Sequence, residues 1–268
     1  MAKKISIIMG IYNCAKTLPE AIDSILAQTY PHWKLIMCDD GSSDNTYQTA
    51  FEYAEKYPNK IVLIKNEKNM GLNYTLNHCL KYADTEYIAR MDGDDISLPE
   101  RLKKEIEFLE TNPQYAIVSC PMIYFDQKGD FKIGKGHGEP NIIKFAKGTP
   151  FCHAPCMVKA EAYRAVGGYA ESTKRIRVED WDLWVRMYEK GYRGYTLSEP
   201  FYKMRDDRNA YVRRKFKFRL KEAAMTASAI KKLNLPKKYY IWMLRPIIVG
   251  LLPKFVYTFL HKRKNSKR

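Results

Sequence analysis

Short apolar, β-branched runs alternate with segments of helical period through the first half of the chain, and each run stops at a cluster of Asp, Asn and Gly. Ile5-Ser6-Ile7-Ile8-Met9 ends at Gly10, and Leu35-Ile36-Met37-Cys38 leads into Asp39-Asp40-Gly41-Ser42-Ser43-Asp44. Ile61-Val62-Leu63-Ile64 is a third run, and Tyr87-Ile88-Ala89 precedes Met91-Asp92-Gly93-Asp94-Asp95. Between the first two, Leu18, Ala21, Ile22, Ile25 and Leu26 recur at helical spacing behind Thr17-Leu18-Pro19-Glu20, whose spacing predicts a capping box. Further helices are predicted up to Tyr57 and from Gly71 to Tyr82. Strands that alternate with helices in this way predict a mainly parallel central sheet flanked by helices. Right-handed crossovers place the strand ends on one edge, so loops 10–13, 39–44, 66–71 and 92–95 are expected to share a rim where ligands bind. After Pro99 a helix to about Thr111 and a strand over 116–120 continue the pattern. The Gly-rich, aromatic stretch 124–150 is looser and is expected to shape the site of a second ligand.

Charge divides the chain more sharply than hydropathy does. The formal charge is +16, yet from Asn209 onward there are 17 Lys and Arg against one acid, Glu222, so the first 208 residues are formally neutral. The expected organisation is an α/β domain over 1–208 and a basic, helical, amphipathic extension over 209–268. A basic nucleic-acid-binding protein with a non-catalytic acidic domain is the rival reading. No zinc-finger or recognition-helix pattern accompanies the charge, and no nucleic-acid partner is expected. The apolar stretch 239–260 is interrupted by Arg245, Pro246, Pro253 and Lys254, too often for a spanning helix. With Tyr239, Tyr240, Trp242, Phe255 and Tyr257 it is expected to lie on an anionic membrane surface, attracted further by Arg213-Arg214-Lys215, Lys262-Arg263-Lys264 and Lys267-Arg268. Six cysteines lack the spacing of a disulfide framework and no secretory signal precedes Ile5, so a cytoplasmic location, peripheral on the inner membrane face, is expected. Cys152-His153 with Cys156 has no fourth zinc ligand nearby.

Three carboxylates in Asp92, Asp94 and Asp95 repel one another and call for a divalent cation or many hydrogen bonds. Oxygen-only ligands favour Mg²⁺ or Mn²⁺, which usually arrive with a phosphate-bearing substrate. Ile96 and Ser97 exclude an EF-hand loop. Asp39 and Asp40 offer acceptors suited to a base N–H or a ribose hydroxyl, with Asp44 reading as a helix cap, and no Walker-type loop is present. Glu179-Asp180-Trp181-Asp182 opens a helix that Gly191 ends, with Trp181, Val185 and Tyr188 at core spacing. Trp181 and Trp184 are expected to form an apolar wall that raises a neighbouring carboxylate pKa and holds a sugar face, the setting of a general base.

In order along the chain, these motifs resemble the inverting glycosyltransferases of family 2, of the bacterial surface-polysaccharide type and GT-A fold. Ile7-Ile8-Met9-Gly10-Ile11-Tyr12-Asn13 is similar to the family's opening strand, and Ser24-Ile25-Leu26-Ala27-Gln28-Thr29-Tyr30 to its first-helix signature. Asp39-Asp40-Gly41-Ser42 resembles its nucleotide-binding turn. Asn69-Met70-Gly71 with Asn77 continues the pattern, and Asp92-Gly93-Asp94-Asp95 takes the place of its DXD motif. The resemblance covers about residues 4 to 205. It implies a metal-dependent hexosyltransferase that moves a sugar from a nucleotide sugar, UDP-linked by expectation, to a hydroxyl of a lipid-linked saccharide in O-antigen, capsule or exopolysaccharide synthesis. Tyr12 is then expected near the uracil, Asp40 on the base, Asp92 by the ribose or metal, and Asp94 on the Mn²⁺ or Mg²⁺. Asp180 is expected as the catalytic base, with Glu179, Trp181 and His153 on the substrate side. Gly10 stands where many relatives have Pro or Thr, and Arg205 where some carry a His.

Overall fold

The computed structural model describes residues 4–206 and 216–252. The predicted alternation is present as β1 (Ile5–Ile11), α1 (Leu18–Leu26), β2 (Trp33–Asp39), α2 (Thr46–Lys56), β3 (Ile61–Lys65), α3 (Leu72–Leu80) and β4 (Tyr87–Arg90). Then come β5 (Ile96–Ser97), α4 (Arg101–Thr111), β6 (Ile117–Ser119), β7 (Met122–Asp126), β8 (Gly129–Ile133), β9 (Met157–Lys159) and α5 (Ala160–Val166). The chain continues through α6 (Glu179–Glu189), β10 (Gly194–Thr196), β11 (Tyr202–Arg205), α7 (Phe216–Lys232) and α8 (Leu244–Leu251).

Seven strands form a central sheet in the order β10-β6-β9-β4-β1-β2-β3. β9 pairs antiparallel with β4 and β6, while the other described pairs in this sheet are parallel. The period-two alternation of β1 divides the core. Ile5, Ile7, Met9 and Ile11 join Leu35, Met37 and the α1 side chains Leu18, Ile22 and Ile25 in one cluster. Ile8 joins Ile36, Leu76 of α3 and Trp184 of α6 in the other. Each large side chain so buried contributes about 1.5–3 kcal/mol, and two filled faces explain why these strands read as continuous apolar runs.

A second sheet, β5-β11-β7-β8, was not legible as such. The stretch 124–150, expected to be loose, opens with the β7–β8 hairpin. The acidic segment 91–95 joins β4 in the first sheet to β5 in the second, so its path is fixed at both ends.

The capping box expected at Thr17 does not form. The Thr17 hydroxyl lies 3.0 Å from the Gly93 carbonyl and 3.2 Å from that of Cys14, and Glu20 pairs with Arg205 instead. A tertiary acceptor on the acidic turn has outcompeted the helix end. Within the expected basic extension, α7 buries Ala223, Met225, Thr226, Ala229 and Ile230, and Met225 and Ala229 enter the cluster that holds Trp184. Arg213-Arg214-Lys215, Lys254, Phe255, Tyr257 and the basic residues from Lys262 to Arg268 lie outside the described residues.

A buried charge clamp sets the start of α6. Asp182 accepts from Arg175 Nε at 2.9 Å and from Arg186 Nε at 2.7 Å. Arg186 also donates to the carbonyls of Val166 and Gly168. Removing one partner of such a cluster leaves uncompensated buried charge, which costs about 3–5 kcal/mol. Asp182→Ala is expected to lower unfolding stability by that amount, read as a lower urea midpoint; an unchanged midpoint would show that the clamp does not hold α6.

Candidate active site

The rim loops are tied to one another by side chains from their own motifs. Asn13, with φ of 48°, accepts from the Ser43 amide at 2.9 Å, while its own amide donates to the Ser42 hydroxyl at 3.1 Å. Asp44, expected as the helix cap, stands one residue before the N-cap Asn45; it accepts from the first-turn Thr46 amide at 3.0 Å and holds the first loop through the Ala15 amide at 3.2 Å. Asp40 is 4% exposed and accepts from Asn66 Nδ2 and the Met70 amide, both at 2.8 Å, and from the Gly71 amide at 2.9 Å. Its carboxylate therefore joins the loop after β2 to the loop after β3. Asp39 accepts from the Ser42 amide at 3.2 Å, and its other oxygen is buried without a hydrogen-bond partner among the described residues. Gly41, at φ +70°, permits the approach: a Cβ there would lie 2.7 Å from the Lys68 backbone.

The acidic turn is held by two basic side chains and a tyrosine. Arg90, buried at the end of β4, pairs with Asp92 at 2.6 Å. Asp95 is 2% exposed and accepts from the Arg205 amide at 2.8 Å. Burial and the charges of Asp92 and Asp94 push the Asp95 carboxyl well above its usual range. The Tyr202 hydroxyl accepts from the Asp92 amide at 3.2 Å and hydrogen-bonds Asp95. Gly93 lets the turn settle on the first loop, since a Cβ there would meet Cys14 Sγ at 3.0 Å and Ile11 Cγ2 at 3.1 Å. Asp94 is left exposed, with its pKa raised by desolvation and by Asp92.

An open cleft of roughly 510 Å³ lies over this turn. Tyr12, Lys16, Asp44, Asp92, Asp94 and Arg205 all contribute to its walls. Tyr12 is 49% exposed at its edge. Arg205 donates to the Asp94 carbonyl at 2.9 Å, and its guanidinium lies 4.5 Å from the centre of the Phe125 ring. Asp92 and Asp94 fit a hard divalent ion, because a cation there would relieve the repulsion that raises the Asp94 pKa, and such ions fill their remaining positions with phosphate and water oxygens. No group of three or more His, Cys, Asp or Glu side chains suited to a metal occurs among the described residues.

The second acid sits on another element. Asp180 opens α6, and burial together with Glu179 pushes its carboxyl up to about 6, against the opposing effects of the Trp181 amide, Arg90 and the Thr149 hydroxyl. Glu179 beside it is half-buried. Arg90 is thus felt by both acidic centres. His153 hydrogen-bonds the Tyr169 hydroxyl through Nε2 at 2.8 Å; burial and the Arg90 charge hold its pKa well below the ordinary value, so the imidazole is neutral. Trp181 is 5% exposed and donates to the Phe145 carbonyl at 2.9 Å, and Trp184 is fully buried. Both rings pack in the core rather than presenting an open wall. Arg90, Tyr202 and Thr149 were not singled out from the sequence. For Arg90 a signal was present: a basic residue continues the buried run Tyr87-Ile88-Ala89, where an isolated charge requires a partner.

Comparison with known proteins agrees with this geometry. The family model described as Glycosyl transferase family 2 matches residues 6–167. EpsE of Bacillus subtilis (strain 168), which bears a glycosyltransferase name, is 45% identical, with 97% of this chain and 94% of that protein covered. The UDP-Glc:alpha-D-GlcNAc-diphosphoundecaprenol beta-1,3-glucosyltransferase WfaP of Escherichia coli is 27% identical over 97% of this chain and 98% of its own. Among solved structures, S. aureus TarS 1-349 in complex with UDP-GlcNAc superposes with a TM-score of 0.71 at 20% identity, covering 92% of this chain and 72% of TarS 1-349. That likeness identifies the fold, a GT-A glycosyltransferase arrangement.

Asp40 supplies a test of the rim. Asp40→Asn turns one accepting oxygen into a donor facing an amide, and an unsatisfied buried donor costs about 1–3 kcal/mol. The variant is expected to lose that much stability in urea, with faster amide exchange at Met70 and Gly71; unchanged exchange at those amides would refute the tie.

Proposed function

The chain belongs to glycosyl transferase family 2, and on that premise we propose that it is an inverting, metal-dependent hexosyltransferase. In this reading it moves a sugar from a UDP-sugar to a hydroxyl of a lipid-linked saccharide in surface-polysaccharide synthesis, at the inner face of the cytoplasmic membrane. The observation that carries it is the presence of two separately tuned acids: exposed Asp94 on the acidic turn, in a cleft with Asp92, and Asp180 at the start of α6 with its pKa raised to about 6. The lipid-linked acceptor is proposed from the relative WfaP, whose name states one, and the peripheral position from the basic C-terminal residues.

In this mechanism Tyr12 and the Asp39-Asp40 turn receive the nucleoside, with Asp92 at the ribose or metal. Asp94, with Asp92, would hold Mn²⁺ or Mg²⁺, which when bound neutralises charge on the leaving diphosphate. Lys16 and Arg205 add fixed positive charge along the same cleft. Asp180 takes the proton of the acceptor hydroxyl as its oxygen bonds to the anomeric carbon. The bond from that carbon to the diphosphate oxygen breaks, and the configuration inverts. Glu179 adjoins Asp180 and His153 is assigned with it to the acceptor side, while Trp181, its ring turned into the core, backs the helix that carries Asp180. His153, its pKa held well below the ordinary value by burial and Arg90, is too weak a base to compete with Asp180 for the acceptor's proton.

Asp180→Asn is expected to cut turnover by about 10²–10⁴, the usual worth of a general base, while UDP binding measured by calorimetry stays within about twofold. Near-normal turnover would remove Asp180 from the mechanism. Because a carboxyl raised to about 6 is protonated below that pH and accepts no proton, kcat/KM should fall about tenfold per pH unit below 6 and level off above it. Asp94→Asn is expected to abolish the Mn²⁺ dependence of UDP binding. A screen of UDP-sugars for nucleotide release, with membrane lipid extract as acceptor source, tests the whole reading; failure of every donor together with no binding of UDP would overturn it.

A further inference from the structure

The C-terminal helices have an inner side that is accounted for and an outer side that is not. α7 is packed on α6, and α8 returns against α7 so closely that a Cβ on Gly250 would lie 2.7 Å from the Phe216 ring. Between them runs a turn of tight helix, Lys237–Met243. On the outer side, Ile241, Leu244, Ile248 and Leu251 are 63%, 48%, 57% and 69% exposed. Their spacing of three, four and three residues puts them on one stripe. Leu220 and Phe216 of α7 are exposed as well. Exposed Lys217, Lys237, Lys238 and Arg245 belong to the same elements, and the acid of this region, Glu222, pairs with Arg219. An aliphatic stripe among cations is the composition of a helix that lies in the interface of an anionic bilayer.

This hairpin also touches the loop that reaches the second acid. The Lys147 ammonium lies 4.4 Å from the centre of the Trp242 ring, and Arg245 donates to the Lys147 carbonyl at 3.5 Å. Two residues further on, the Thr149 hydroxyl donates to the Phe151 carbonyl at 3.2 Å and lowers the pKa of neighbouring Asp180. No helix among the described residues is long and apolar enough to cross a membrane, so an association through this face is a lateral one.

We infer that the outer face of the α7–α8 hairpin, centred on Ile241, Leu244, Ile248 and Leu251, is the surface that seats the protein on a bilayer rich in anionic lipid. The Lys147 contacts tie this hairpin to the loop beside Asp180, and in reading that tie as an approach for the acceptor the inference rests on the lipid-linked acceptor proposed above. Charge complementarity selects the bilayer as occupant over a second copy of the chain, which would bring like charges together.

The test is sedimentation of the full chain with vesicles of phosphatidylcholine alone or with about one-third phosphatidylglycerol, a composition chosen to bracket natural anionic content. Binding is expected only to the anionic vesicles. Ile248→Glu with Leu251→Glu is expected to weaken it by about tenfold or more, and Lys237→Glu with Lys238→Glu to reduce the anionic preference. All four positions are exposed, so thermal midpoints are expected to hold, and so is nucleotide release with a water-soluble acceptor analogue. Unchanged sedimentation of the Ile248/Leu251 variant would overturn the inference. So would a wild-type dimer in gel filtration that the same variant dissociates without any vesicle binding by the wild type. A protein that binds vesicles through this face yet releases no nucleotide from any donor would overturn the proposed function and leave the docking surface standing.

Discussion

The acidic turn between the two sheets is possible only because its charges are answered from below. Two like charges about 4 Å apart repel by roughly 4 kcal/mol at an effective dielectric near 20, a large share of the 5–15 kcal/mol by which a domain is stable. Three carboxylates within four residues would therefore unmake the turn if left alone. Arg90 pairs with Asp92 at its buried end, the Arg205 amide and Tyr202 hydroxyl take up Asp95, and Gly93 lets the whole turn rest on the first loop. Asp94 is the exposed member, and it lines the cleft together with Asp92. Even the start of α1 yields to this arrangement, since Thr17 turns its hydroxyl to the Gly93 carbonyl instead of capping its own helix.

The two acids proposed for the chemistry are shifted in the same direction by different surroundings. Asp94 is raised by desolvation and by a neighbouring carboxylate that a cation would neutralise. Asp180 is raised by burial and by Glu179, and held near 6 by opposing hydrogen bonds and by Arg90. A carboxyl at that level is mostly ionised at neutral pH yet is a stronger base than a solvated aspartate. Arg90 acts on both without lying in the cleft, so the two halves of the site share one buried counter-charge.

The central sheet was legible because a period of two gives way to a period of 3.6 at every crossover, and the apolar runs are long enough to show it. The second sheet was not. β5 has two residues, β8 is largely exposed and its alternation rests on Phe131 and Ile133 alone, and β11 finds its partners at Met122 and Ser97, far away in sequence. Convergence of the four rim loops followed from topology, whereas the side chains that fasten them, such as Asn66 on Asp40, depend on contacts that spacing does not encode. The packing of α7 was hidden by composition: its buried Ala, Met and Ile positions lie in a stretch whose net charge dominates any window average. Trp181 was read correctly as core-spaced, whereas Trp184, fully buried, was read only as a pocket wall. Expecting Trp181 also to line a pocket overlooked that an indole N–H given to the Phe145 carbonyl draws its ring inward.

Tyr202 is fully buried, with the Arg101 guanidinium 5.0 Å from the centre of its ring and its hydroxyl between the Asp92 amide and Asp95. By volume and hydrophobicity phenylalanine would suit that space as well. The position is therefore governed by a single oxygen atom: a Tyr-to-Phe change there, harmless by any measure of packing, would set free the peptide that aims the carboxylates. Substitution scales that rank the two aromatics as interchangeable will misjudge this site, and a library built to diversify the interior should fix it first.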